Sequence, residues 1–578
     1  MDRIEENGPA RETLQADVLV IGAGVAGGLM AYELARQKRR VTILEAGPHI
    51  ERDKAVARFR ESSTKGANSP YENAPYAPTP DDQTPWTFYG QQAQGTTPVT
   101  KQTAFQGLYL RGVGGTSWHY TGHAERFHPN DFRMRSAYGV ARDWPVSYEE
   151  LEPWYLKAED YWGVAGGPDT IGPPRSAPYP LPPVPISYLD RMVAAAAEPL
   201  GWGVGGYPHA RVSVPEGYDG RPQCCGNASC RFVCPIAAKY DASVHVMKAV
   251  AAGATLLAGR VVYNIDVGED GQVTAVQYRL ADGGWGEARA KLFILAAHAI
   301  ETPKLLLMST RRRAKGVANG SGLVGRNLMC NVDIDTQGYA PSAVWPFRGP
   351  VSATGGVTGL RDGPFRAKQA AAATFIVNGG FNMSMGAIEE AQSALKQKLI
   401  GAELRARVHD NTSRQVHLSS SVEVLPDERN TVAPDWTRRD ALGLPLPKVD
   451  FRVDDYTLRG WTAARERDRA ILVKMGATSV TPPAPGTSSS KMASSKTCPD
   501  PEPVPVPSVD YAIIGGTAVM GDDPKTSVVD RFGRSHDHPN LFILGTSAYP
   551  TITICSPSLT LAALALRAAD HIVTRGLA

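Results

Sequence analysis

Apolar runs open and close this chain in the rhythm of buried strands, and the amphipathic stretches between them read as helices. Residues 18–21 (VLVI) are unbroken aliphatic and mostly β-branched, the pattern of a parallel strand buried on both faces. The pattern predicts a helix over 26–37 and a second strand over 40–44. From 51 to 100 the periodicity is lost in a stretch rich in Pro, Tyr and Asn (NSPYENAPYAPTPDDQTPW), which reads as a cap or binding loop. Residues 143–162 (DWPVSYEELEPWYLKAEDYW) predict an amphipathic helix pair with Ser147 as N-cap and Glu150 at the capping-box position. Proline- and glycine-rich coil over 166–223 leads to a cysteine cluster. Alternating strand patterns follow over 255–280, then a buried strand over 291–297 and a helix over 301–308. Further strand patterns and long helices over 336–480 suit a substrate domain built on a sheet, and residues 482–508 (PPAPGTSSSKMASSKTCPDPEPVPVPS) are of low complexity. The end returns to the opening style, with the strand LFILG at 541–545, a turn and an alanine-rich helix over 559–572. No segment repeats another.

Glycines give the first strand its meaning. Gly22, Gly24 and Gly27 complete G-x-G-x-x-G: the first makes the tight turn, the second lets the backbone approach a pyrophosphate, and the third packs helix on strand. The helix then points its positive end at a phosphate. Glu45 closes the second strand about 20 residues on, where an acid holds a ribose hydroxyl. Together these features predict dinucleotide binding. A second glycine loop, Gly112, Gly114 and Gly115 in LYLRGVGGTSWHYTGHAERF, is built to pass close to a flat cofactor.

Composition narrows the picture. A chain of 578 residues is too long for one core and predicts two or more domains. With 61 basic and 58 acidic residues, net charge +3, it has no basic field for nucleic acid. No apolar run approaches the length of a spanning helix, and the start MDRIEENGPARETLQ lacks the basic-then-apolar pattern of a signal peptide. The chain alone is therefore expected in the cytoplasm, with any export supplied by a partner. Four of the seven cysteines lie between 224 and 234, a ligand pattern rather than a disulfide framework.

Several stretches together resemble one family, the glucose-methanol-choline (GMC) flavin oxidoreductases. They are VLVIGAGVAGG with LEAG, RGVGGTSWH, DWPVSYEELEPWY, LFILAAHAIETPKLLL, GLVGRNLM, and HPNLFILGTSAYPT with SPSLTLAALALRAADHI, in the family's order from residue 17 to 575. The resemblance implies an α/β fold: a Rossmann-type FAD-binding domain (16–60, 101–140, 240–335, 510–578) interleaved with an α+β substrate domain on a β-sheet (61–100, 141–223, 336–509). By it, Gly22, Gly24, Gly27 and Glu45 hold the ADP half of FAD, and Gly114, Gly115, Thr116 and Ser117 lie along the flavin. His119 stands where some relatives carry a histidine covalently tied to the flavin. Val261 and Ala296 flank the adenine side, and residues 540–551, with Gly545 and Thr546, close over the pyrophosphate.

Within the family, PQCCGNASCRFVCPIAAKYDASVHV is similar to the cysteine segment of bacterial FAD-dependent sugar dehydrogenases. That implies a 3Fe-4S cluster on Cys224, Cys225 and Cys230, with Cys234 not a ligand. Crowded thiolates suit soft iron, whereas adjacent cysteines are poor spacing for zinc; zinc or free thiols are the competing readings. A cluster implies a dehydrogenase that passes electrons to a cytochrome or other carrier. A small accessory subunit, and periplasmic placement by co-export with it, would follow from the same resemblance.

The match breaks at the catalytic positions. Relatives carry a histidine beside the flavin, paired with a second histidine or an asparagine; here those positions are Ile513 and Ser556, and GRNLM continues as Cys330 and Asn331. A positioned base is worth roughly 10²- to 10⁴-fold, so its loss is severe. The replacement candidates are Tyr511, Asp510, His417 and His298, with Asn331 and Ser556 as partners. Each also has a structural reading: a packed aromatic, a solvated loop acid, an ordinary strand histidine, a strand-end histidine packing by FAD. Alternatively the chemistry is desaturation, isomerisation or lyase work, or the chain is a non-catalytic electron-transfer subunit. Ile513 and Ile514 predict a drier pocket than a simple free sugar prefers.

Overall fold

The computed structural model describes residues 4, 10–61, 109–226, 230, 233–349, 354–377, 386–481 and 508–576; the side chains of Glu389, Thr481 and 508–512 are outside that description. The aliphatic run forms the centre of the first sheet. Glu12–Ile21 pairs in parallel with Val41–Glu45 on one side and with Trp285–Leu295 on the other. Val18, Leu19 and Val20 are completely buried, as a strand covered on both faces must be. Trp285–Leu295 changes partners along its length: its start ladders antiparallel with Val273–Arg279, and its end pairs in parallel with Leu541–Ile543. The first and last parts of the chain thus share one sheet. Helices Val25–Arg36, Ser243–Ala251, Ser558–Thr574 and Tyr148–Trp162 pack on one another beside it and share its core.

The second sheet is antiparallel and runs Thr478–Thr481, Met329–Tyr339, Gln415–Val422, Ala372–Ile376, Gly355–Val357, Val204–Gly206, with Ser508–Gly515 also on Met329–Tyr339. Helix Asp455–Lys474 packs against it through buried Trp461, Ala464, Ile471 and Leu472. The register sets Ser421 opposite Asp333.

The predicted helix pair over 143–162 is a single helix, Tyr148–Trp162, capped as expected: Ser147 Oγ accepts from Glu150 N at 3.2 Å, and Glu150 Oε2 accepts from Ser147 N at 2.9 Å. Pro153 lies inside it. Interior proline costs about 3 kcal/mol, but Tyr148, Leu151, Tyr155, Ala158 and Trp162 are all buried on one stripe. Breaking the helix would expose part of that stripe, which outweighs the proline. The helix predicted over 301–308 starts earlier, as His298–Met308. The excursion after residue 51 begins as helix Arg52–Glu61; residues 62–108 and the low-complexity loop over 482–507 lie outside the described residues.

Buried ions join segments from distant parts of the chain. Arg366 donates to Asp131 Oδ1 at 2.9 Å and to Glu423 Oε2 at 2.7 Å, while Arg361 donates to Asp131 Oδ2 at 2.9 Å. Burial pushes the Asp131 carboxyl up, but Arg361 and Arg366 outweigh it and hold its pKa down to about 2, below the ordinary 3.8. A depressed carboxylate contributes stability above its unfolded pKa and loses it as pH falls through the folded value. Acid titration followed by near-UV circular dichroism is therefore expected to show native packing failing between about pH 3.8 and about pH 2.

Candidate active site

A cavity of about 700 Å³ opens at the carboxyl ends of the parallel strands, where Ile21, Leu44, Ala296 and Leu544 line it; α/β sheets bind ligands at this edge. Gly22 has φ +102°, and a Cβ there would stand 2.4 Å from the Ala296 carbonyl oxygen. A Cβ on Gly27 would fall 1.9 Å from the Gly22 carbonyl oxygen, so Gly27 sits in the helix–strand contact and not on the wall. Gly24 differs: its φ is −84°, and a Cβ would meet nothing within 4 Å. It faces open cavity at the N-terminus of Val25–Arg36. Glu45 Oε2 accepts from Ala23 N at 2.8 Å and its Oε1 from Gly47 N at 2.9 Å. Burial raises its pKa above the usual carboxylate range, against those bonds.

The second glycine loop lies on the first. Gly114 (φ +101°) donates its N–H to Ala23 O at 2.9 Å, and a Cβ on Gly115 would stand 3.3 Å from Gly24 Cα. Thr116 Oγ1 accepts from Leu110 N at 3.2 Å; Ser117 Oγ donates to Gly114 O at 2.5 Å and accepts from Ala242 N at 2.8 Å. Gly114, Gly115, Thr116, Ser117 and His119 line the cavity, as do Gly22, Gly24, Glu45, Val261, Ala296, Gly545 and Thr546. An open Gly24 at a helix N-terminus, faced by a second close-approaching glycine loop, fits a dinucleotide with a flat ring system. Residues not foreseen complete this end. Glu301 accepts from Tyr109 Oη at 2.5 Å and from Arg111 at 3.0 Å, and pairs with Lys304 at 2.8 Å. Burial pushes its carboxyl up, yet Lys304 and Arg111 hold it well below the usual range. His298 (φ +67°) stacks on Tyr109 with ring centres 4.3 Å apart, and burial lowers its pKa to about 4.

The second sheet supplies the other wall: Asp333, Phe375, Ser419, Ser421, Ile513 and Ile514, with Ser556 from the final turn. Of the proposed base and partner residues, Ser556 lines the cavity and His298 lines its glycine-loop end. Asn331 is buried off the wall, its Nδ2 donating to Ser421 Oγ and Thr553 O at 3.2 Å each. His417 also lies off the wall, its Nε2 2.8 Å from Asp335 Oδ1. The side chains of Tyr511 and Asp510 are outside the described residues. The structure adds two residues that sequence reasoning missed, His123 and Glu125, both buried on the wall with Nδ1 and Oε1 3.6 Å apart. One signal pointed to them: in GHAERF two polar residues stand at the two-residue spacing of an extended segment, just past the second glycine loop.

In the cysteine segment, Cys230 and Cys234 are buried, Cys224 is half-buried and Cys225 is exposed. Burial raises the Cys224 pKa, and Cys230 and Cys234 act on it in the same direction. Lys239 ties the following residues to the second glycine loop, donating to Trp118 O at 2.8 Å and Tyr120 O at 2.6 Å; burial lowers its pKa to about 8. Among the described residues no group of three His, Cys, Asp or Glu side chains is arranged to hold a metal ion; residues 227–229, 231 and 232 lie outside that description.

Fold and cavity define a flavin-dependent oxidoreductase, and comparison with known proteins gives the family. Residues 130–332 and 426–565 match GMC oxidoreductase family models, and residues 17–165 match that of the FAD dependent oxidoreductases. The chain belongs to the GMC oxidoreductase family. It is 35% identical to the fructose dehydrogenase large subunit of Gluconobacter japonicus, over 98% of this chain and 99% of that one. It is 29% identical to the 2-methyl-1,2-propanediol dehydrogenase of Mycolicibacterium austroafricanum, over 97% and 96%. The crystal structure of pyridoxine 4-oxidase from Mesorbium loti shares the fold, with a TM-score of 0.61 at 19% identity over 97% of this chain and 99% of that one. Among the described residues no helix is long and apolar enough to cross a membrane.

Proposed function

We propose that this chain is the flavin-bearing subunit of a dehydrogenase that oxidises a hydroxyl-bearing carbon of a polyol or sugar-like alcohol. The observation that carries the reading is one continuous cavity running from two apposed glycine loops to a wall of Asp333, Ser419 and Ser421 on the second sheet and Ser556 from the final turn. The first end suits FAD, and the second offers hydrogen-bonding partners for a hydroxylated molecule. Bound FAD supplies the acceptor for a hydride and the means of releasing electrons singly. This chain's part is positional. Gly24 and Gly115 leave room for close backbone approach, the start of Val25–Arg36 faces negative charge, and Ile513 and Ile514 keep water from the reacting carbon. Ile513 at the usual histidine position leaves desaturation or other non-standard chemistry as the second reading.

The 224–234 segment is proposed to hold the 3Fe-4S cluster on Cys224, Cys225 and Cys230. Support comes from the Cys-Cys-x4-Cys spacing and from Lys239, five residues past the segment, whose side chain binds the second glycine loop. The name of the 35%-identical relative, a large subunit, supports a smaller accessory partner for this chain; a cytochrome acceptor and periplasmic placement by co-export are proposed with it from the resemblance of the cysteine segment alone.

Anaerobic titration of purified protein tests the reading, with flavin, iron and acid-labile sulfide assayed. An alcohol or sugar is expected to bleach the flavin, the less polar 2-methyl-1,2-propanediol more readily than the free sugars D-fructose and D-glucose against the apolar Ile513–Ile514 wall. Bound FAD that no alcohol or sugar reduces would transfer the assignment to non-oxidative or desaturating chemistry. Iron is expected to disappear in Cys230→Ser; a variant with unchanged iron and sulfide would remove the cluster proposal.

A further inference from the structure

We propose that Glu125, beside His123, is the catalytic base that takes the hydroxyl proton of the substrate; the inference rests on the dehydrogenase reading above. Glu125 lines the main cavity and is 2% exposed, yet among the described residues neither carboxylate oxygen receives a hydrogen bond. A buried carboxylate without donors is costly, and native chains rarely keep one without a use for it. Two donors near it are committed elsewhere. Arg361, which acts on Glu125 electrostatically, directs its N–H groups to Thr553 Oγ1 at 2.7 Å and Asp131 Oδ2 at 2.9 Å. Tyr207 Oη donates to Thr374 O at 3.4 Å. His123 Nδ1 stands 3.6 Å from Oε1, beyond a hydrogen bond but close enough to orient the charge. The His123 ring is itself fixed among Tyr207, His209 and Phe375, with ring centres 5.0, 4.8 and 5.3 Å away.

Among the described residues this carboxylate has no donor, and an alcohol entering the cavity brings one. The substrate O–H bond breaks and its proton passes to a Glu125 oxygen. The carbinol C–H bond breaks with its electron pair leaving as hydride for oxidised FAD, and the C–O bond becomes C=O. The substrate loses two electrons, which the flavin gains. Glu125 lies a few residues past His119 of the second glycine loop and lines the same cavity as Ile513 and Ser556, the positions from which the usual base is missing.

The test compares wild type with Glu125→Gln and Glu125→Asp, all FAD-loaded, in two readouts. Rapid anaerobic mixing with D-fructose and 2-methyl-1,2-propanediol gives the rate of flavin reduction, and thermal melting gives stability. E125Q is expected to reduce its flavin roughly 10²- to 10⁴-fold more slowly while melting no lower than wild type, because the carboxylate has no hydrogen bonds to lose; E125D is expected to recover part of the rate. Reduction of E125Q within tenfold of wild type would overturn the proposal, and so would slow reduction accompanied by a melting temperature several degrees lower, the signature of a structural carboxylate. A wild type that neither alcohol reduces would instead sink the dehydrogenase reading, and the base with it.

Discussion

Gly24→Val is expected to give a folded protein that purifies without FAD, whereas Gly22→Ala is expected to lose stability and flavin together. The two glycines are two residues apart but meet different surroundings. Gly24 has φ −84° and ψ −161°, open to any residue, and its added Cβ touches nothing within 4 Å. The apo fold should not register a valine there. Its branched side chain nevertheless projects into the space at the start of Val25–Arg36, where a pyrophosphate would lie against the backbone. At Gly22 the φ of +102° disfavours any L side chain, and the new Cβ would stand 2.4 Å from Ala296 O, a backbone atom that cannot move aside alone. Left-handed strain and overpacking together cost about 2–5 kcal/mol. Melting of the apo proteins and flavin absorbance after purification separate the cases. An apo melting temperature for G24V several degrees below wild type, or full flavin content in either variant, would refute this account of the loop.

Arg366→Met is expected to be the most destabilising single change in the substrate domain. The Arg366 side chain is 1% exposed and serves Asp131 and Glu423 at once. Methionine keeps much of its volume but leaves two buried carboxylates short of their shared cation, and breaking a buried pair in this way costs about 3–5 kcal/mol. Arg361 still holds one oxygen of Asp131, so Glu423 loses more. The deficit should narrow as pH falls, because protonation removes the charge left unpaired. Pairing R366M with Glu423→Gln should recover part of the loss for the same reason. Thermal melts at neutral and acidic pH check both statements, and a deficit that does not change with pH would mean the arginine acts through packing.

The cofactor end of the cavity was legible because its determinants are local. Gly22, Gly24 and Gly27 lie within one strand–turn–helix unit, and the sequence signal is the geometry itself: a turn only glycine tolerates, a helix start and an acid at the next strand end. The Ser147 cap was legible for the same reason. Misreadings fell where distant packing overrode a local signal. The pattern over 143–162 predicts a helix pair, but the stripe from Tyr148 to Trp162 buries as one. For His417, a candidate base, only the register of Gln415–Val422 on Met329–Tyr339 shows the neighbour, Asp335.

By itself, then, the sequence determined the dinucleotide loop, the two-sheet class of fold and the family, since each is written in contiguous residues whose backbone preferences and burial patterns act over a few positions. Only the tertiary structure decided which side chains share the cavity. Asp333, Ser421, Ile513 and Glu125 come from four separate segments, and whether they meet depends on strand register and on how the second sheet lies against the first. It also decided that, among the described residues, Glu125 is buried without a hydrogen-bond donor, because whether a carboxylate is satisfied depends on every group packed around it, and residues 123–125 carry no trace of the Arg361 and Tyr207 whose hydrogen bonds go elsewhere.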